Sequence, residues 1–202
     1  QKEWQKALEN ANLVVGYSLA TDYASQYKIT GENDSESIFE IQGTGSTPAK
    51  GIQGYSATQG ARGAGGWGWG FNTPSMSLVN AYEVGDVRKN ATIIFAGTTL
   101  YDGRAVVPLT AENPRYNYKA YSSAYTDAWD SDVNIKYLRY AEVLLIKAEA
   151  MNELGQTATA IPILNQIRNR AGLANTTAVS QADVRTAIWK ERRVELAFEH
   201  DR

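Results

Sequence analysis

Residues 135–154 read IKYLRYAEVLLIKAEAMNEL, and this stretch decides the fold class. Its small and apolar residues recur every three or four positions, as on one face of an α-helix. They are Tyr137, Ala141, Leu144, Leu145, Ala148 and Met151. Gly155 follows, and glycine readily adopts the left-handed conformation that ends many helices. The pattern predicts a helix from Ile135 to Leu154.

A second helix is expected to follow and to end at Ala171, before Gly172. Pro162 constrains its start, because proline lacks an amide donor and costs about 3 kcal/mol in a helix interior. We therefore expect Thr159, rather than Thr157, to cap this helix.

The two helices joined at Gly155 resemble one hairpin of the tetratricopeptide type, with the small residues Ala141 and Ala148 where the pair would touch. A third helix is expected from about Ala182 to Phe198. Only one hairpin is visible, whereas a solenoid needs several. Either further hairpins lie upstream, or other helices cover the exposed faces.

The rest of the chain is less regular. Apolar spacing predicts a helix from Glu3 to about Leu19, and alternation predicts a short strand from Ser37 to Gln42. Thr73-Pro74 predicts the start of a short helix that extends to Tyr82. The apolar run from Thr92 to Phe95 predicts another strand. The fold class is therefore mainly α, with long irregular loops and a few short strands.

Composition excludes several classes of protein. The 202 residues are 43% hydrophobic and 21% charged, enough for one packed domain and unlike a disordered chain. The net charge of -2 comes from basic and acidic residues mixed along the chain, which disfavours nucleic acid as a partner. The chain has no cysteine, and this excludes disulfides, thiolate zinc sites and cysteine nucleophiles.

The ends of the chain indicate a fragment. The most apolar stretch, Leu13 to Ala20, is far shorter than the ~18 apolar residues of a membrane-spanning helix. No basic and apolar leader opens the chain, because Gln1 already lies in the pattern of an amphipathic helix. Arg202 stops inside another helical pattern. We therefore expect a longer parent protein.

Three segments of the chain carry a family resemblance. They are Tyr137-Leu-Arg-Tyr-Ala-Glu-Val-Leu-Leu-Ile-Lys-Ala-Glu-Ala150, Leu164-Asn-Gln-Ile-Arg-Asn-Arg-Ala-Gly172 and Glu191-Arg-Arg-Val-Glu-Leu-Ala-Phe-Glu199. Together they resemble the C-terminal signature of the SusD/RagB family. Shorter pieces agree with it: residues 36–42, Gly66-Trp67 with Pro74 and Leu78, and Asp86-Val-Arg88. Ser75 departs from the family, which more often has threonine after the proline.

The resemblance implies a lipoprotein of the bacterial outer membrane, exposed at the cell surface and active in nutrient uptake. Such proteins cover a SusC-type TonB-dependent transporter and bind oligosaccharide without catalysis or cofactor. Residues 1–202 would then form a single SusD/RagB-like domain that lacks the N-terminal helices, the lipid anchor and the extreme C-terminus. The helix hairpin alone leaves an alternative, a protein-interaction scaffold that binds a peptide or protein partner.

Sugar binding needs flat apolar rings for the C–H faces of pyranoses and a few polar groups for the hydroxyls. The loop 43–70 holds ten of the 17 glycines and ends in aromatic residues, and the region 101–129 is also rich in tyrosine. We predict ligand contacts from eight residues: Trp67, Trp69, Phe71, Tyr55, Arg62, Asn72, Tyr101 and Tyr121. In the alternative interpretation these rings fold inward and form a core.

Two motifs resemble other ligand sites but fit them poorly. Residues 63–68 match the dinucleotide pattern G-x-G-x-x-G, yet no apolar strand precedes them and no helix follows. Asp130-Ser-Asp132-Val-Asn134 resembles the opening of a calcium loop, but Ile135 stands where that loop needs glycine. We expect this motif to cap the helix that follows, and we predict no metal site.

Three carboxylates at a spacing of four, Glu191, Glu195 and Glu199, share one face of the predicted third helix. Paired carboxylates can serve glycoside hydrolysis. However, Arg168 and Arg170 on the neighbouring helix could reach across to them. We expect structural ion pairs rather than catalysis, and we find no arrangement of a catalytic triad around the single histidine.

Overall fold

The computed structural model describes residues 2–45, 52–107, 114–122 and 130–200. The helices in these ranges are α1 Trp4–Leu13, α2 Tyr55–Gln59, α3 Met76–Val79, α4 Arg88–Thr92, α5 Tyr140–Glu153, α6 Thr157–Arg170 and α7 Gln181–Glu195. The strands are β1 Ser37–Ile41, β2 Ile52–Gln53, β3 Ile93–Phe95, β4 Arg115–Asn117, β5 Asp130–Ser131 and β6 Ile135–Arg139. This mainly helical architecture with short strands confirms the predicted fold class. Among the described helices, none is both long and apolar enough to cross a bilayer.

The main core lies between α5, α6 and α7. Leu145 of α5, Leu164 and Ile167 of α6, and Val184 and Ile188 of α7 pack together and are fully buried. Complete burial of each such side chain stabilises a fold by about 1.5–3 kcal/mol. The predicted α5–α6 hairpin is therefore the centre of the molecule, and α1 packs against α5 from outside.

Three two-stranded antiparallel ladders attach the irregular segments to this helical core. They pair β1 with β6, β2 with β5, and β3 with β4. Each ladder joins segments that are distant in sequence, and β6 leads directly into α5.

The prediction that the first long helix begins at Ile135 was wrong. Residues 135–139 form β6, in which Ile135 lies opposite Ile41 and Arg139 opposite Ser37 of β1. Tyr137 is 52% exposed, so it does not belong to the buried helix face. The edge of β1 offers these residues backbone hydrogen bonds and becomes available only in the folded chain. At the other end Gly155, with φ +79°, follows the helix as predicted.

The predicted cap of the second helix was also wrong. Helix α6 begins at Thr157, follows Gln156 and contains Pro162 in its interior. The Thr157 hydroxyl donates to Asn152 Oδ1 of α5 at 2.9 Å, which fixes this start against the first helix. Burial of Ala160 and Leu164 outweighs the missing donor of the proline.

Other boundaries differ as well. Helix α1 ends at Leu13 rather than near Leu19, and Gly16 then adopts a left-handed φ of +87°. Helix α3 is capped by Ser75, whose hydroxyl accepts from the Leu78 amide, so it begins after the predicted Thr73-Pro74 start and ends at Val79 rather than Tyr82. Helix α7 starts one residue early, at Gln181, and stops at Glu195 instead of Phe198.

A buried ion network joins α7 to β1 and β6. The guanidinium of Arg139 lies 2.6 Å from carboxylate oxygens of Glu36, Glu195 and Glu199. It also donates to the backbone carbonyl of Glu195 at 2.8 Å. Arg139 and all three glutamates are buried, so these are charge-assisted contacts with little access to water.

The expected ion pairs across the helices are confirmed. Arg168 lies 3.1 Å from Glu191, and Arg170 pairs with Glu195. Arg88 of α4 was not predicted to pair with these carboxylates, yet it lies 2.6 Å from Glu191 and 2.9 Å from Glu195. The carboxylates of α7 are thus held by arginines from three other elements.

This network predicts a loss of stability in acid. Burial alone would raise the pKa of Glu199, but the charges of Arg139 and Lys119 outweigh it and lower the pKa to about 2. The pKa of Glu195 is also lowered, because neighbouring arginines outweigh its burial. Burial raises the pKa of Glu191, and the neighbouring arginines offset this only in part. Glu191 therefore acts against the loss of stability in acid.

A glutamate in an unfolded chain has a pKa of about 4.3, so below about pH 5 the unfolded state binds more protons than the folded one. The stabilisation by Glu195 and Glu199 is complete above that range and is lost as the pH falls toward 2. We expect the urea midpoint of unfolding to stay level between pH 6 and pH 5 and to drop steadily from pH 5 to pH 3. A midpoint that stays constant over this range would contradict the assignment.

Candidate functional site

The glycine-rich segment folds back onto α2 through backbone hydrogen bonds. The amides of Trp67, Trp69 and Phe71 donate to the carbonyls of Ala61, Ala57 and Thr58 at 2.8 to 2.9 Å. The prediction of a single long loop over residues 43–70 was therefore wrong where β2 and α2 form, while residues 46–51 lie outside the described part. The aromatic side chains of this segment therefore project from a backbone that is held in place by hydrogen bonds.

Close packing explains several of its glycines. A Cβ atom on Gly68 would lie 2.2 Å from the Ala57 carbonyl oxygen, and one on Gly66 would lie 2.3 Å from that of Ala61. A Cβ on Gly60 would lie 2.5 Å from the ring of Trp67. The G-x-G-x-x-G match thus reflects backbone packing in a turn, and α2 rather than a strand precedes it.

Two rings of this segment project outward. Trp69 is 54% exposed and Phe71 is 58% exposed, with ring centroids 6.0 Å apart and planes at 77°. Between them lies Gly70, where a Cβ would be 3.3 Å from Cδ of Arg62, so the stem of that exposed arginine runs beside the pair. We call Trp69, Phe71 and Arg62 the aromatic platform.

Tyr121 is buried, and Trp67 is partly buried against it. Their ring centroids are 5.2 Å apart, and both rings pack in a second core cluster with Ile94. Tyr121 is 1% exposed, and its hydroxyl donates to Asp102 at 2.7 Å. The Arg104 guanidinium lies 4.8 Å from the Trp67 ring centroid. Trp67 and Tyr121 were two of the eight residues predicted to contact ligand. Both rings instead fold inward and form part of a core, as in the alternative interpretation.

Tyr55 and Asn72 line an open cavity of about 390 Å³ between α2 and the end of α7. Asn72 directly follows Phe71 in the chain and donates to Gln59 Oε1 at 2.8 Å. Burial raises the pKa of Tyr55, so its hydroxyl is a neutral donor at physiological pH. His200 also lines this cavity. The cavity therefore adjoins the aromatic platform through the backbone of residues 71 and 72.

Tyr101, 47% exposed, lies in a separate cavity of about 230 Å³. Tyr118 and Lys28 line the same cavity. Tyr118 belongs to the tyrosine-rich region noted in the sequence, whereas no sequence signal indicated Lys28. Tyr116 of that region is buried in the second core cluster, and Tyr125 and Trp129 lie outside the described residues.

The calcium-like motif has a structural role that differs from the predicted one. Asp132 accepts a hydrogen bond from the Gly45 amide, and Asn134 accepts one from the Gly43 amide at 2.9 Å. Strand β6 follows this motif, so the prediction that it caps a helix was wrong. Across the described ranges, no three acidic, histidine or cysteine side chains are grouped as a metal site would require.

Comparison with known proteins places the chain in one family. The model of the SusD family matches residues 35–202. The SusD-like protein P2 of Formosa agariphila is 27% identical over 99% of this chain and 46% of its own length. This match confirms the resemblance found in the three C-terminal segments.

Solved structures agree in fold. Surface glycan-binding protein A from Bacteroides uniformis is 27% identical, with a TM-score of 0.69 over 97% of this chain and 43% of that one. A laminarin-binding SusD-like protein is 25% identical, with a TM-score of 0.77 over 98% of this chain and 49% of that one. The chain thus spans about half the length of these relatives. With the family model matched over most of its residues and the fold shared over nearly all of them, the chain belongs to the SusD family.

Proposed function

We propose that this protein binds glycan without catalysis and passes it to a SusC-type TonB-dependent transporter at the outer surface of the cell, where a lipid anchor holds the parent protein. Two structural neighbours are described as binding glycan or laminarin, which supports the class of ligand. The observation that carries the proposal is the exposed aromatic platform, held on a fixed backbone.

The platform has the chemistry that a pyranose ring needs. Because the two ring planes are nearly perpendicular, the face of Trp69 or of Phe71 can cover the C–H face of a sugar while the other ring contacts its edge. Rigid aromatic contacts of this kind contribute roughly 0.5–1.5 kcal/mol beyond area burial. Arg62 beside them is a donor for hydroxyl groups, and Asn72 lies one residue beyond Phe71. Tyr55 and Asn72 would extend contact into the adjoining cavity.

The absence of catalysis in this proposal rests on the carboxylates of α7 and the segment after it. The side chains of Glu191, Glu195 and Glu199 are at most 7% exposed, and each is paired with an arginine. A glycosidase needs one protonated carboxyl and one free carboxylate on either side of the scissile bond. Glu191 and Glu195 are instead held in the buried ion network, and Glu199, which lines the adjoining cavity, is paired with Arg139.

The decisive experiment is calorimetry of the protein against a panel of polysaccharides, beginning with laminarin oligosaccharides. We expect the double variant Trp69→Ala and Phe71→Ala to bind its glycan roughly 10- to 100-fold more weakly, because two ring contacts are lost. Trp189→Ala is the matched control, since Trp189 on α7 is 52% exposed and lies outside the platform.

We expect the control to bind as the unchanged protein does. Equal affinity of the double variant and the unchanged protein would remove the platform from the binding site. Failure of the unchanged protein to bind any glycan of the panel would count against glycan capture by this part of the parent protein.

A further inference from the structure

The cavity beside Tyr101 differs in character from the aromatic platform. The rings of Tyr101 and Tyr118 are nearly parallel there, with an angle of 18° and centroids 6.5 Å apart. The ammonium group of Lys28 lies 4.8 Å from the Tyr101 ring centroid. The cavity has a volume of about 230 Å³. This volume suits a single sugar ring rather than an oligosaccharide chain.

The polar groups of this cavity have unused hydrogen-bonding capacity. Among the residues that the structure describes, Lys28 has no ion-pair partner. The side chain of Asn90 forms no hydrogen bond with any of these residues. The Tyr118 hydroxyl accepts a hydrogen bond from the Tyr101 amide at 3.3 Å, which leaves its own proton to donate. Ammonium, amide and hydroxyl groups therefore all offer donors to a ligand.

The charged side chain that lines the cavity is that of Lys28. The lining consists of Ala24, Tyr27, Lys28, Val87, Asn90, Ala91, Tyr101 and Tyr118, without a carboxylate among these described residues. Three acidic groups next to the lining residues accept hydrogen bonds from the protein. Asp22 accepts one from the Ala24 amide at 2.9 Å. Asp102 accepts a hydrogen bond from Tyr121, and Glu199 accepts one from Tyr27 while it pairs with Arg139. The charge of Lys28 is left for a ligand to neutralise.

We propose that this cavity is a subsite for one acidic sugar unit, a pyranose that carries a carboxylate or sulfate group. The anionic group would accept hydrogen bonds from Lys28, a ring hydroxyl would meet Asn90, and the C–H face would pack on the tyrosine rings. The inference deepens the proposed glycan binding by naming a class of ligand, and it concerns residues that the platform does not use.

The experiment measures binding of glucuronate, glucose 6-sulfate and glucose to the protein by ligand-observed NMR. At least one acidic sugar is expected to bind about 10-fold or more tightly than glucose, because a hydrogen bond to a charged group is among the stronger ones. Tighter binding of glucuronate would identify a carboxylate as the preferred group, and tighter binding of glucose 6-sulfate would identify a sulfate. Either preference over glucose supports the subsite. Added salt should weaken the binding, since the cavity is open to solvent.

Variants separate this subsite from a general electrostatic effect. Lys28→Met is expected to abolish the preference for the acidic sugar, whereas Lys89→Met, on the neighbouring α4, removes the same charge and should leave the preference intact. Equal binding of glucose, an unchanged preference in Lys28→Met, or equal loss in Lys89→Met would each overturn the proposal. Inorganic sulfate that competes as well as the sugar would also overturn it.

The platform variant distinguishes this proposal from the broader one. Binding of the acidic sugar should persist in the Trp69→Ala and Phe71→Ala double variant. If oligosaccharide binds at the platform but no acidic sugar binds, the subsite alone is refuted. If the acidic sugar binds through Lys28 while no oligosaccharide binds at all, the proposed glycan capture fails and the subsite stands.

Discussion

Replacement of Arg139 by glutamine is expected to leave the protein largely unfolded. Arg139 contacts Glu36, Glu195 and Glu199, each at 2.6 Å, inside a core with almost no water. Loss of one partner of a buried ion pair costs about 3–5 kcal/mol, because the remaining buried charge loses compensation. Glu36 and Glu195 keep Arg170, and Glu199 keeps Lys119, but the buried network as a whole loses one positive charge. Here one substitution affects three carboxylates, whereas a whole domain is stable by only about 5–15 kcal/mol.

Urea denaturation followed by circular dichroism measures this effect. The control is Arg185→Gln, because Arg185 also pairs with a glutamate, Glu153, but at the surface. Exposed ion pairs contribute little, so the control should unfold nearly as the unchanged protein does. Overlapping unfolding curves for the two variants would show that the buried network does not support the fold.

Substitution of Gly68 by alanine is expected to remove glycan binding and to reduce stability together. The new Cβ would lie 2.2 Å from the Ala57 carbonyl oxygen and 2.7 Å from the Gly60 Cα, and both are backbone atoms. Relief of this clash would break the hydrogen bond from the Trp69 amide to Ala57. Overpacking typically costs about 1–3 kcal/mol, and here the displacement also moves the aromatic platform.

Gly103→Ala is the control for backbone strain alone. Gly103 has a φ of +88° with open space around its Cα, so alanine there meets no neighbouring atom. It should cost roughly 1–2 kcal/mol from the left-handed conformation and leave glycan affinity unchanged. Thermal unfolding and calorimetry on both variants test the comparison. Unchanged glycan affinity in Gly68→Ala would mean that the platform does not depend on this packing.

The local sequence predicts the helical core well, but it does not predict where a strand that pairs with a distant segment ends and a helix begins. Gly155 and Gly172 both follow helices with positive φ, as their positions indicated. The start of α5 was missed because residues 135–139 carry apolar and basic side chains that suit a helix and a strand equally. Arg139 decides between them only when β1 and the glutamates of the core are present.

The candidate site was predictable as a region but not residue by residue. Trp67 and Trp69 stand two positions apart in the same glycine-rich segment, yet one packs on Tyr121 and the other faces solvent. Nothing in the local sequence distinguishes them, because the difference arises from the core cluster on which the segment folds. Lys28 reaches its cavity for a similar reason, since the turn that carries it packs against α4.

The most direct test of the account is a crystal structure of the protein with the oligosaccharide that it binds best. We predict a pyranose ring stacked on Trp69 or Phe71, with hydroxyl groups in hydrogen-bonding range of Arg62 or Asn72. Sugar bound elsewhere on the molecule, with both rings still exposed to solvent, would contradict the central claim.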